Sequence, residues 1–170
     1  YLYLSSPYYF NGTISTLYPI DNLIGIENFT MLDTLIIRDN SIDSLDLSNN
    51  QNLTMLECYG NIMTTPQIYS NISSLTINNN IALKHLNCRE NNLSSLNISN
   101  LVNLEVLICW DNNLTTLDVS QNPNLTYLDC WRTGLSNLNI SNLINLETLW
   151  CGHNNLTTLD VSQNPNLTYL

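Results

Sequence analysis

The sequence predicts a solenoid: stacked coils of 21 residues, mostly β with few or no regular helices, carrying a parallel sheet along one side. Two observations predict it. The 17-residue string NNLTTLDVSQNPNLTYL occurs at 112–128 and again at 154–170, an offset of 42 residues or two coils. Leucines also recur in one register, with Leu32, Leu53, Leu83, Leu104, Leu125, Leu146 and Leu167 at position 1 and five of the six intervals equal to 21 residues. Near-identical stacked units share one core and sort their side chains into columns, so a function must be sought in the columns that vary.

Each unit runs L-x-x-L-x-C/I-x-x-N-x-L-x-x-L-x-I/V/L-S, as in Leu83, Leu86, Cys88, Asn91, Leu93, Leu96, Ile98 and Ser99. Positions 4 and 6 alternate with period 2, which places a short strand there. Leu86 and Cys88 then point inward, and positions 3, 5 and 7 point out. Strands are expected around Leu35, Leu56, Leu86, Leu107, Leu128 and Leu149. Asn at position 9 suits the exit from the strand, since its amide can satisfy the backbone of neighbouring coils. Positions 14 and 16, such as Leu117 and Val119, read as a second extended segment on the opposite side, and turn residues such as SQNPN and SNLIN bring the chain back. The irregular interval, between Leu53 and Leu83, holds nine extra residues around TTPQIYSNI (64–72), expected to bulge as a loop. A lone coil buries too little apolar surface to offset the ordering of its own residues, so the coils must stack and the ends need caps.

The pattern closely resembles the leucine-rich repeat family. The stretch LIGIENFTMLDTLIIRDNSIDSLDL is similar to the opening repeats of internalin-like and other bacterial surface leucine-rich repeat proteins, and LTTLDVSQNPNLTYLDC to the 21-residue repeats of secreted Bacteroidetes-type proteins. The resemblance covers residues 20–170. It implies a leucine-rich repeat solenoid of the α/β-horseshoe class, a right-handed superhelix whose strand-lined face is concave. It also implies a secreted or cell-surface bacterial setting. Thr133 and Gly134 depart from the usual Asn-Asn pair, which puts one rung of the Asn ladder in doubt.

The whole of 1–170 reads as one domain, with 1–31 a cap or degenerate coil and 32–170 six repeats plus the start of a seventh. Leu170 falls at position 4 of that seventh repeat, so the chain is expected to be a piece of a longer protein. Four Lys or Arg stand against fourteen Asp or Glu, and the net charge of −10 argues against nucleic-acid and anionic-membrane partners. No run of 18 apolar residues is present, so no membrane-spanning helix is expected.

Cys58, Cys88, Cys109, Cys130 and Cys151 all occupy position 6 and read as a buried, reduced thiol column acting as small hydrophobes. An odd count and parallel side chains disfavour disulfides, and the absence of a CxxC pair disfavours metal. Eleven N-x-S/T triplets occur, but the repeat generates them on each turn, which is a simpler cause than glycosylation. No cofactor, metal or catalytic motif stands out. His85 and His153 sit three coils apart, roughly 14 Å by strand spacing, too far to share a metal. His85 lies diagonally near Glu57, and Asp111 beside Arg132 reads as a surface ion pair. The chain is not expected to be an enzyme.

The diversified residues gather at positions 2–8. Position 7 reads Arg38, Tyr59, Arg89, Trp110, Trp131, Gly152; position 5 includes Ile108, Asp129 and Trp150; position 3 includes Tyr127. The opposite segment carries little besides Ser, Thr, Asn and Asp. Exposed aromatics flanked by Arg have the composition of interaction hot spots. The candidate ligand-binding residues are therefore Tyr59, Arg89, Ile108, Trp110, Tyr127, Asp129, Trp131, Arg132 and Trp150, and the expected ligand is a protein or peptide held by an adhesin-like protein. A glycan on the same aromatic patch is one alternative. Others are a ligand-free structural spacer and a neighbouring domain that covers the patch.

Overall fold

The structure, a computed structural model, describes residues 2–3, 20–38, 41–60 and 72–170. Strands β1 (Leu2–Tyr3), β2 (Thr34–Arg38), β3 (Ser44–Asp46), β4 (Met55–Tyr59), β5 (Ser74–Thr76), β6 (His85–Asn87), β7 (Val106–Ile108), β8 (Tyr127–Asp129) and β9 (Thr148–Trp150) follow in order, with one short 3-10 helix at Ile26–Asn28. A seven-stranded sheet runs β1-β2-β4-β6-β7-β8-β9. Every pair is parallel, and from β2 onward the register is the one the leucines predict, for example Leu86 opposite Leu107 and Leu107 opposite Leu128; the pairing of Leu2 with Leu35 is not among those expectations. The sheet therefore consists of one strand per coil, stacked in chain order. The insertion near 64–72, apart from Ile72, and residues 4–19 of the N-terminal segment lie outside the described residues.

The core is a set of columns. Position-1 and position-4 leucines from Leu53 and Leu56 to Leu146 and Leu149 are fully buried, as are Cys58, Cys88, Cys109 and Cys130 beneath the sheet. All five thiols are free. Cys151 departs from the expected burial and is only half-buried, because its coil has less covering it: Leu156, Leu159 and Leu167 beyond it are themselves only partly buried.

The Asn ladder follows from the polar groups that this packing traps. Asn112 Nδ2 donates to the Cys88 and Cys109 carbonyls at 3.0 and 2.9 Å, and its Oδ1 accepts from Leu93 N at 3.0 Å. Asn91 and Asn154 repeat these bonds in their own coils. Thr133 breaks the rung as expected. Its hydroxyl reaches the Cys130 carbonyl at 2.9 Å in its own coil and lies 3.0 Å from Asn154 Oδ1 in the next, but among the described residues its side chain makes no bond back to the coil before it. Gly134 follows at φ +93°, a left-handed conformation that Gly adopts without steric cost.

Four features differ from expectation. Positions 14 and 16 form a ladder only between β3 and β5; in later coils that side has no strand. There clefts of about 260 and 270 Å³ open between successive coils, one lined by Thr115, Thr116 and Asn137 and the other by Asn139, Thr158 and Asp160. Inter-coil pairing is therefore concentrated on the sheet side. The strand is also shorter than positions 2–8, because position 8 turns left-handed at Glu90, Asp111, Arg132 and His153, with φ of 52–54°. A second Asn column, which the leucine spacing does not signal, stands at position 19. Asn50, Asn80, Asn122 and Asn164 are buried, and Asn122 Nδ2 donates to the Ile98 and Leu101 carbonyls at 2.9 Å each. Finally, N-x-S triplets do structural duty: Asn97 and Asn139 Oδ1 accept from Ser99 N and Ser141 N, closing the same turn that Asp118 closes with Ser120 N.

Candidate binding face

Positions 5 and 7 of successive strands stand side by side on the outer surface of the sheet, one coil apart. Their side chains pack against one another and are less exposed than outward-pointing positions suggest. Trp110 and Trp131 are half-buried, Asn87 is 3% exposed, and only Trp150, at 47%, stands well into solvent.

Along position 7 the chain alternates cation and ring. The Arg38 guanidinium lies 5.0 Å from the Tyr59 ring centroid and pairs with Glu57, which in turn lies 3.8 Å from His85 Nε2. Arg89 sits between two rings, 3.7 Å from Tyr59 and 5.6 Å from Trp110. Trp110 then meets Trp131 edge-on at 6.2 Å, and Trp131 meets His153 at 4.8 Å. The last contact depends on Gly152. A Cβ there would lie 3.2 Å from Trp131 Cδ1, so the missing side chain is what lets the indole lean over the next coil.

Trp110, Asp129, Trp131 and Trp150, from three consecutive coils, line one cavity of about 200 Å³. Asp129 Oδ1 accepts the Trp131 backbone N–H at 3.1 Å. Burial pushes the Asp129 carboxyl above the usual carboxylate range, opposed by that hydrogen bond and by the Arg89 charge. Burial likewise raises the Tyr127 hydroxyl, helped by the Asp129 charge and opposed by a side-chain hydrogen bond from Trp150. Of the other sequence candidates, Ile108 pairs in register with Asp129 without lining the cavity, and Arg89, stacked on Tyr59, reaches the cavity's residues only through Trp110. Arg132 does not line it: its left-handed backbone leaves it exposed and 3.5 Å from Asp111, the surface ion pair expected from sequence. His153 is an addition, signalled only by its place beside Gly152. The larger clefts on the opposite side are spaces between coils where Asp118 and Asn139 already close local turns, and aromatic side chains do not line them.

Among the described residues no group of three His, Cys, Asp or Glu is placed to hold a metal ion, and no helix is long and apolar enough to cross a membrane. No family model matches the chain, and no curated protein does. Solved structures do match. Internalin C2 from Listeria monocytogenes superposes with a TM-score of 0.75 at 25% identity, over 89% of this chain and 66% of that one. The fold is that of a leucine-rich repeat solenoid, and the chain is similar to the internalins. The functional domain of InlJ from the same organism, which includes a cysteine ladder, is similar at 28% identity and a TM-score of 0.48, over 86% of this chain and 45% of that one. The TLR13–ssRNA13 complex matches at 25% identity and a TM-score of 0.60, over 82% of this chain and 21% of that one. This internalin-like chain thus spans between a fifth and two thirds of these three proteins. The presence of RNA on a leucine-rich repeat protein means that the fold does not exclude nucleic acid; the case against it here is the net charge of −10 alone.

Proposed function

We propose that the sheet face around Trp110, Trp131 and Trp150 binds a protein or peptide, in a secreted or surface protein of adhesin-like role, and performs no catalysis. The observation that carries this reading is the convergence of four side chains from three coils on one cavity with aromatic walls. Aromatic residues and Arg dominate binding hot spots because they bury large, stiff surface at low entropic cost. The TLR13–ssRNA13 complex adds the precedent that a similar structure serves as a binding module. A rigid backbone ladder holds the surface in place, with Cys109 N donating to Asp129 O and Cys130 N to Trp150 O, both at 2.8 Å.

The test is partner capture by photo-crosslinking, compared across variants. A genuine partner should lose about 2 kcal/mol or more of affinity with Trp110→Ala or Trp131→Ala, and nothing with Thr115→Ala or Thr157→Ala on the opposite segment. A partner bound equally by all four variants would place the site elsewhere. Capture of a soluble glycan in its place, competed by free sugar, would favour the carbohydrate alternative.

A further inference from the structure

Resting on the reading of this face as a binding surface, we propose that the cavity between Trp110, Trp131 and Trp150 receives a lysine or arginine side chain of the protein partner. Its walls are indoles, whose π-faces are electron-rich and attract cations, and its remaining lining residue is the carboxylate of Asp129. Aromatic walls around a carboxylate suit a cation better than an apolar or anionic group.

The chain supplies its own demonstration one step away. At the N-terminal end of the same column each ring has an internal cation, with Arg38 and Arg89 over Tyr59 and Arg89 also over Trp110. Beyond Trp110 the internal cations run out. Position 7 continues with Trp131 and Gly152, Arg132 is drawn to Asp111, and among the described residues no Lys or Arg lies over Trp131 or Trp150. Asp129 is half-buried, spends one oxygen on the Trp131 N–H, and forms no ion pair among the described residues. A half-buried carboxylate without a paired cation is costly to keep, and an incoming ammonium or guanidinium would supply the missing partner. Arg89 does not already fill this role. It is held over Tyr59 and lies 3.8 Å from Glu90, and its influence on Asp129 is weaker than that of burial. A volume of about 200 Å³ suits the head of one long side chain rather than an extended ligand. The net charge of −10 would draw a basic segment towards the surface.

The three tryptophans of the chain are the three in this cavity, so indole N–H resonances and tryptophan fluorescence report on it alone. The whole chain is titrated with N-acetyl-lysine amide, N-acetyl-arginine amide, the neutral N-acetyl-norleucine amide, and methyl glucoside. The cationic amides should shift the indole signals with saturation in roughly the millimolar range. They should bind about tenfold more tightly than norleucine, and Asp129→Asn should lower that preference while leaving the remaining amide spectrum intact. Equal binding of norleucine or glucoside overturns the cation assignment but leaves the surface reading standing. So does retention of the full preference in a folded Asp129→Asn variant. If no probe moves any indole, the cation assignment falls; the surface reading falls with it only if a crosslinked partner is also indifferent to Trp110→Ala and Trp131→Ala.

Discussion

Replacing Asn112 by Ala tests whether the Asn ladder holds the coils together. Asn112 is buried, and its amide serves the Cys88 carbonyl, the Cys109 carbonyl and the Leu93 N–H, with a longer 3.5 Å bond to the Trp110 carbonyl. After truncation the Cys88 carbonyl keeps its 3.0 Å bond from Asn91 Nδ2, but the Cys109 carbonyl and the Leu93 N–H lose this partner. Stranding a buried backbone group costs about 1–3 kcal/mol, so two of them cost about 2–6 kcal/mol. The chain contains its own partial control. At the same position in the next coil Thr133 satisfies only the Cys130 carbonyl within its coil. Asn112→Thr should therefore lose roughly half as much as Asn112→Ala. Thr133→Asn should gain about 1 kcal/mol by offering an acceptor to Leu114 N and a donor to the preceding coil. Urea unfolding followed by far-UV circular dichroism gives the free energies, and hydrogen exchange at Leu93 locates the loss. An Asn112→Ala protein within about 1 kcal/mol of the parent would mean that water or backbone adjustment replaces the ladder.

Other expectations follow from single sites. Cys151 should react first with a thiol reagent in the native protein, because it is half-buried; Cys58, Cys88, Cys109 and Cys130 should react only on unfolding, since burial raises each thiol, Cys88 to about 12. Rapid native labelling of all five would contradict the buried column. Gly152→Ala should displace the Trp131 indole, seen as a change in near-UV circular dichroism and loss of the Trp131–His153 contact, while the leucine core stays intact; an unchanged spectrum would mean that the ring is held by something other than the vacancy. Burial depresses the His85 pKa below 6.5, against the opposing pull of Glu57. The folded state thus binds fewer protons than the unfolded one, so His85 contributes stability above pH 6.5 that is lost as pH falls towards its folded pKa. His85→Gln should flatten that part of the stability profile, and an unaltered slope would remove His85 as its cause.

Much of this protein could be read before folding because a repeat returns the same backbone position at each coil, roughly 4.8 Å further along the stack. The spacing of Leu86, Leu107, Leu128 and Leu149 by itself determined the parallel register, the inward leucines, the cysteine column, and the gathering of Trp110, Trp131 and Trp150 on one face. Spacing carries no information about the gaps between columns. The β3–β5 ladder stops after two coils, and the Asn122 and Asn164 amides turn inward, for reasons of packing that the leucine register does not express. The site was decided at the same level. Trp131 leans towards His153 because Gly152 leaves room, Arg89 settles between Tyr59 and Trp110, and Arg132 turns away on a left-handed backbone. Periodicity fixes where each Cα stands, whereas the direction of a large side chain depends on the volume and charge of neighbours 20 or more residues away, and only the tertiary structure brings those together.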